Sequence, residues 1–161
     1  MHGEIKPIRT VTAALLALNQ DHVQELSSLD EQEFAAVLAE AFYASTINDA
    51  DAFLIAFDQD AVYGSPNFRW FQERYDKFIY VDRVVTAPSA RGLGYARQLY
   101  EDLFQQALSA GHRRIVCEVN LDPPNPASDG FHAALGFQEV GRAEIHGGTK
   151  TVRYLSRAAK F

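Results

Sequence analysis

The stretch ARGLGYARQLY, residues 90–100, sets two glycines, an arginine and a small residue at the entrance to an amphipathic segment. A strand that runs through a glycine loop into a helix aims backbone N–H groups and the positive end of the helix dipole at one point, where a diphosphate can be held. Gly92 and Gly94 keep that approach open, because a Cβ would block it. Arg91 adds a fixed charge able to pair with a phosphate, and Arg97 adds another from the first helical turn. The competing explanation is a tight strand-to-helix turn beside a solvated arginine. Among phosphate-binding patterns, a P-loop requires a Gly-Lys-Ser/Thr ending, and no such triplet occurs. A dinucleotide fingerprint requires a small residue where Arg97 stands and normally follows the first strand of its domain. Arg91, Gly94 and Ala96 instead satisfy the spacing Arg/Gln, two residues, Gly, one residue, Gly/Ala, three residues after Pro88.

The elements around this motif follow from pattern. KFIYVDRVVTA (77–87) is the longest strand candidate, and Pro88 ends it because proline cannot donate to a ladder. From Ala96 the apolar or small residues fall at 96, 99, 100, 103, 104, 107 and 108, which predicts an amphipathic helix stopped by Gly111. RRIVCEVN (113–120) then reads as a buried strand, completing a β-α-β unit. Upstream, EIKPIR is a short strand, TAALLALNQ a helix, and SLDEQEFAAVLAEA a second helix. Asp30 caps that second helix with Glu33 reaching back, and Phe34, Val37, Leu38 and Ala41 line one side. FYASTI and AFLIAF form a hairpin about NDAD, and SPNFRWFQERY is an aromatic helical insertion with Ser65 as N-cap and Pro66 first in the helix. Downstream, the three prolines of LDPPNP predict an irregular loop, and ASDGFHAALGF a short helix ending at Gly136. FQEVGRAEIH and TKTVRYLS make a terminal hairpin with Gly147 and Gly148 as a two-residue turn.

With NPASDGFHAALGF added, in which Asn125 lies eleven residues before Gly136, the chain resembles the GNAT superfamily of acyl-CoA-dependent N-acyltransferases. The order of elements matches that family from residue 5 to residue 155. The resemblance implies an α/β (α+β) fold: a mixed, mostly antiparallel central sheet flanked by helices, with a splayed pair of central strands and a C-terminal hairpin, in a single domain over 1–161. It also implies acetyl-CoA as acyl donor. The backbone of Val84, Val85 and Thr86 would pair with the pantetheine arm and hold the thioester carbonyl. The segment Gly92, Leu93, Gly94, Tyr95, Ala96, Arg97 would wrap the pyrophosphate beside Arg91. Asn125 would hydrogen-bond the pantetheine from the other side, and Ser128 stands where the family usually has alanine.

Transfer to nitrogen needs a neutral amine, yet an alkylamine with a pKa near ~10.4 is almost wholly protonated at neutral pH. By the resemblance Glu118 is the first choice of base, since CEVN matches the place where family members often carry a glutamate facing the substrate. The loop before Asn125 is two residues longer than the usual family loop. Buried among Val116, Cys117 and Val119, the carboxylate would have a raised pKa. The competing role for Glu118 is a pair with Arg83. Four residues before Gly136, where the family most often has tyrosine, stands His132, which as imidazolium could protonate the leaving sulfur and as imidazole could orient a water. The other reading is that His132 only contacts the cofactor and that Tyr95 or solvent finishes the reaction. Asp82 with Trp70, Phe71 or Tyr75 could bind an ammonium by charge and by cation–π attraction, the latter worth roughly 0.5–2 kcal/mol; the competing reading is that these aromatics cover the sheet.

Composition narrows the partners. A net charge of −6 over 161 residues, with no Lys/Arg cluster, argues against nucleic acid. No apolar run is long enough for a membrane span, no signal peptide is written at the N-terminus, and the single Cys117 suits a reducing compartment, so the sequence predicts a cytoplasmic protein. Five histidines lie scattered without metal-ligand spacing. The expected activity is acetyl transfer from acetyl-CoA to a primary amine on a small molecule. Its alternatives are an acyl-CoA-binding regulatory module with weak or no catalysis, and a protein or peptide N-acetyltransferase. A homodimer through sheet edges is a further expectation from the family.

Overall fold

The computed structural model describes residues 3–22, 26–122 and 124–160; Pro123 of the proline-rich loop and the end residues 1–2 and 161 lie outside the described residues. The order is β1 (Ile5–Pro7), α1 (Ala13–Gln20), α2 (Glu31–Glu40), β2 (Tyr43–Ile47), β3 (Ala52–Asp58), α3 (Pro66–Gln72), β4 (Ile79–Thr86), a 3-10 turn (Pro88–Ala90), α4 (Tyr95–Ser109), β5 (Arg114–Asp122), α5 (Pro126–Ala134), β6 (Gln138–Ile145) and β7 (Lys150–Ala158). The helices start where their side chains can satisfy orphan amides. Thr12 accepts from the Leu15 amide, Asp30 and Glu33 form the predicted reciprocal capping box, and Ser65 accepts from the Asn67 and Phe68 amides ahead of Pro66. No helix among the described residues is long and apolar enough to cross a membrane.

The strands form one sheet in the order β1-β2-β3-β4-β5-β7-β6. Every neighbouring pair is antiparallel except β4 and β5, which run parallel and share only Ile79↔Ile115 and Tyr80↔Val116. Beyond those two rungs the strands diverge, giving the splayed pair the resemblance implies. A bulge accompanies the divergence: Ala56 faces Val81 and Ile55 faces Arg83, so Asp82 has no partner on β3. An extra residue of this kind bends its strand and re-aims the side chains that follow.

One face of the sheet is covered by α4, whose Leu99, Tyr100, Leu103 and Phe104 are fully buried against Leu54, Ala56, Val81 and Ile115. The opposite face is covered by α1, α2 and α3, with Leu15, Phe34, Phe68 and Phe71 against Phe53, Ile55, Phe57 and Tyr80. Each such side chain contributes about 1.5–3 kcal/mol by leaving water. The predicted period of α4 is present except at Leu108, which is 41% exposed because the helix ends at Ser109.

Three local expectations are corrected. β5 continues to Asp122, into the predicted loop, because β7 carries the ladder on to Thr151. Pro126 begins α5, where its missing N–H is no loss, and Asn125 caps the helix. The terminal hairpin turns over four residues, 146–149, since Ile145 pairs with Lys150. His146, Gly147 and Gly148 all take positive φ there.

Candidate active site

The glycine loop adopts the conformation its composition demands. Gly92 and Gly94 have φ of +80° and +79°, and Gly94 stands at the N-cap of α4 with no side chain to cap it. The ideal Cβ position of each meets nothing within 4 Å, so the space above them is open. The amides from Gly92 through Arg97 donate to no acceptor among the described residues. A positive helix end with bare, converging amides fits an anionic diphosphate. Arg91 is exposed with a guanidinium nitrogen 3.5 Å from His22 Nε2, whereas Arg97 lies along the helix surface, 3.0 Å from Glu101. Leu93 is exposed, Ala96 is half-buried, and Tyr95 turns inward, its hydroxyl accepting from Asn48 Nδ2 at 3.3 Å.

The gap between β4 and β5 opens into two cavities. The first, of about 130 Å³, is lined by Val84, Tyr100, Cys117, Asn125, Ser128 and His132. The second, of about 400 Å³, is lined by Tyr63, Ser65, Tyr80 and His146. Asn67, Asp82, Arg83, Glu118 and Lys150 line both. Past Tyr80 the edge of β4 that faces β5 has no strand partner. Such an edge can trade hydrogen bonds with an extended, amide-bearing ligand. Val84 lines the cleft, while Val85 is buried toward α1 and Thr86 pairs with Ala52.

Glu118 occupies the wall common to the two cavities. Its Oε1 accepts from the Tyr80 hydroxyl at 2.9 Å and from Asn67 Nδ2 at 3.0 Å, and Asn67 Oδ1 in turn accepts from the Tyr154 hydroxyl at 2.9 Å. Its Oε2 is buried without a partner among the described residues. Burial, helped by the charge of Asp82, pushes the carboxyl up from 4.5 to about 7 against the lowering effect of the two donors. The pair with Arg83 does not form. The bulge turns Asp82 and Arg83 to the same side, where Arg83 Nε donates to Asp82 Oδ2 at 2.7 Å and its other nitrogens bind Asn19 Oδ1 and Ser27 Oγ. Asp82 Oδ1 accepts from the Tyr63 hydroxyl at 2.6 Å.

His132 sits in surroundings that favour the neutral imidazole over the imidazolium. It is 4% exposed, and its Nδ1 lies 2.8 Å from the Ser128 carbonyl, which requires a proton on Nδ1. Burial lowers the imidazole's pKa below its ordinary value, and in the neutral form Nε2 accepts from the Tyr100 hydroxyl at 2.7 Å. Tyr100 is a residue the sequence reading missed: the period of α4 marks it as core, and it is, but it also lines the first cavity, with its hydroxyl on His132. Asn125 Oδ1 accepts from the Ser128 amide as the α5 cap, leaving its Nδ2 without a partner among the described residues.

The aromatic insertion takes the second of its two readings and covers the sheet. Trp70 stacks on Tyr154 at 4.2 Å and 22°, with Arg74 over its other face at 3.8 Å. Gly141 sits so close that a Cβ there would collide with the indole. Tyr75 lies parallel to Phe71, with Arg114 over its ring at 3.9 Å. Neither ring lines either cavity; both cover the sheet, and their cation–π partners belong to this chain. Of the predicted acceptor residues only Asp82 reaches the cleft, and it arrives with its charge already paired.

The model of the acetyltransferase (GNAT) family matches residues 15–137. The chain belongs to the GNAT acetyltransferase family. Among solved structures, the ribosomal-protein-S18-alanine N-acetyltransferase of Escherichia coli is 18% identical, with a TM-score of 0.71 over 99% of this chain and 96% of that one. An N-acetyltransferase of Staphylococcus aureus Mu50 is 18% identical at 0.70, covering 99% of this chain and 100% of that one. Arabidopsis thaliana NAA60 in complex with acetyl-CoA is 12% identical at 0.69, covering 96% and 97%. At these identities the likeness is one of fold. No curated protein matches the sequence significantly.

Proposed function

We propose that this GNAT protein transfers an acetyl group from acetyl-CoA to a primary amine of a small molecule by direct attack of the amine, with Glu118 as the base. One observation carries the reading: the buried, unpartnered Oε2 of Glu118 on the wall between a cleft for the donor and a separate cavity for the acceptor. The amides from Gly92 to Arg97 with Arg91 would hold the diphosphate, and the free edge of β4 from Val84 to Thr86, with Asn125 Nδ2 opposite, the pantetheine. Bound there, acetyl-CoA supplies an activated acyl carbonyl, so no enzyme nucleophile is required. Cys117 is not poised as one, since burial pushes its thiol well above the ordinary value.

A base near neutrality can take a proton from an ammonium of ~10.4 at a cost of about 4–5 kcal/mol, within reach of a turnover of ordinary speed, where a carboxylate at its solution value would face roughly 3–4 kcal/mol more. Tyr100 holds its proton toward His132 Nε2, and burial raises the phenol well above 10. Because a thiol near ~8.5 is the stronger acid, Tyr100 can give a departing sulfur a hydrogen bond, by turning its single proton away from His132 Nε2, but not the proton itself. Binding without turnover would be favoured had Glu118 paired with Arg83, and that pair is not made. Thiol release from acetyl-CoA across an amine panel tests the reading: release that rises with pH through about 7 and is lost in Glu118→Gln supports it, and unchanged release in that variant removes Glu118 as base.

A further inference from the structure

The charges facing the second cavity do not suit a polycationic acceptor. Asp82 is neutralised by Arg83 and the Tyr63 hydroxyl, and Arg83 is spent on Asp82, Asn19 and Ser27. Glu118 is raised to about 7 and is the group that must receive a proton. His146, at φ +53° in the hairpin turn, is exposed at the rim. That leaves Lys150, half-buried at the first position of β7. Its register partner Ile145 is buried in the same cavity wall, so the pair points to one side of the sheet. The Lys150 ammonium has no hydrogen bond or ion pair among the described residues, and it lines both cavities, as Glu118 does.

A cation left unpaired in the wall of the cavities that Glu118 also lines repels a second ammonium and attracts an anion. It also favours the neutral form of the incoming amine. The cavity, at about 400 Å³, lies in the lower part of the range for small-ligand sites. Resting on the functional reading above, we infer that the acceptor is a small primary amine that also carries a carboxylate: the amine lies at Glu118 Oε2 and the carboxylate at Lys150, as in an amino acid. A hydrogen bond to a charged partner in such a setting corresponds to roughly tenfold to a hundredfold in specificity.

The test compares kcat/KM for matched acceptors: glycine with glycinamide, 4-aminobutyrate with 4-aminobutanamide, and 1,4-diaminobutane as the dication. The expected result is at least one acid favoured over its amide by about tenfold or more, with the diamine poorest. Lys150→Met should bring the acid-to-amide ratio close to one, and Lys150→Glu should invert the order so that the diamine leads. Turnover that treats every acid and its amide alike, or a preference that survives both Lys150 variants, overturns the inference while leaving acetyl transfer intact. Absence of thiol release with every amine overturns the functional reading, and this inference with it.

Discussion

The two cavities that meet at Glu118 share a charged wall and differ in what each adds to it. On the donor side, Tyr100, Asn125, Ser128 and His132 are neutral, and much of their hydrogen bonding is satisfied among themselves. The charged residues Asp82, Arg83 and Lys150 stand on the wall common to both cavities, two of them cancelled against each other and one left over. A neutral wall can face a thioester arm without a desolvation penalty, whereas a charged wall selects among acceptors by sign. Glu118 belongs to both, and its raised pKa follows from standing where the neutral, buried side meets the charged one.

The largest effect should come from removing that shared carboxylate. Glu118→Gln keeps an oxygen for the Tyr80 and Asn67 donors but takes away the proton acceptor, and kcat/KM should fall by about 10²–10⁴. Stability should move the other way. With a folded pKa near 7 and an ordinary value of 4.5, the native state binds the proton more tightly, so the wild type loses stability as pH rises from about 4.5 to about 7 and is level above. The full loss is at most about 3 kcal/mol, less to the extent that water reaches the half-buried side chain. The variant should lack this slope and unfold later than the wild type at pH 8 in a denaturant titration. A variant that is slower and also less stable at pH 8 would mean the carboxylate is structural.

On the donor side, Gly94→Val places a β-branched residue at φ +79°, where a left-handed backbone costs roughly 1–2 kcal/mol, and puts a side chain into the open space above the amides. Affinity for CoA by calorimetry should fall at least about tenfold, with the acid-to-amide preference among acceptors retained. A loss of acceptor preference without loss of CoA affinity would break the division between the cavities. Tyr100→Phe is expected to do less: about threefold to tenfold in kcat, with little change in the KM for CoA, and about 1–3 kcal/mol of stability, since His132 Nε2 is left buried without a donor.

What the sequence made legible was local chemistry. The capping box at Asp30 and Glu33, the period of α4 and the glycines before it are each set by a few neighbouring residues, and each appears in the structure, the period of α4 as far as Ala107. The bulge at Asp82 was not legible, because VDRVV alternates normally and only the register against β3 and the splay from β5 create it. Tyr100 was hidden for a related reason: helical period assigns a side chain to the core but says nothing of what the far end of a phenol reaches. The four-residue hairpin turn required His146 at positive φ, a conformation that sequence preference assigns to glycine.

The smallest effect on activity should come from Trp70, whose ring, taken with the Asp82 carboxylate, suggested a cation–π contact to the acceptor. Its indole instead braces Tyr154, which holds Asn67, which donates to Glu118. Trp70→Leu removes the stacking and part of the buried surface over Gly141, and should cost about 2–4 kcal/mol of stability. Because both hydrogen bonds between the indole's neighbour and the base are retained, KM for the preferred amine should stay within about twofold of the wild type. The informative comparison is with Lys150→Met in the same assay, since one residue covers the network from behind and the other faces the acceptor. If Trp70→Leu raises KM as much as Lys150→Met does while remaining folded, the acceptor reaches past Glu118 to the aromatic insertion and the second cavity is only its antechamber.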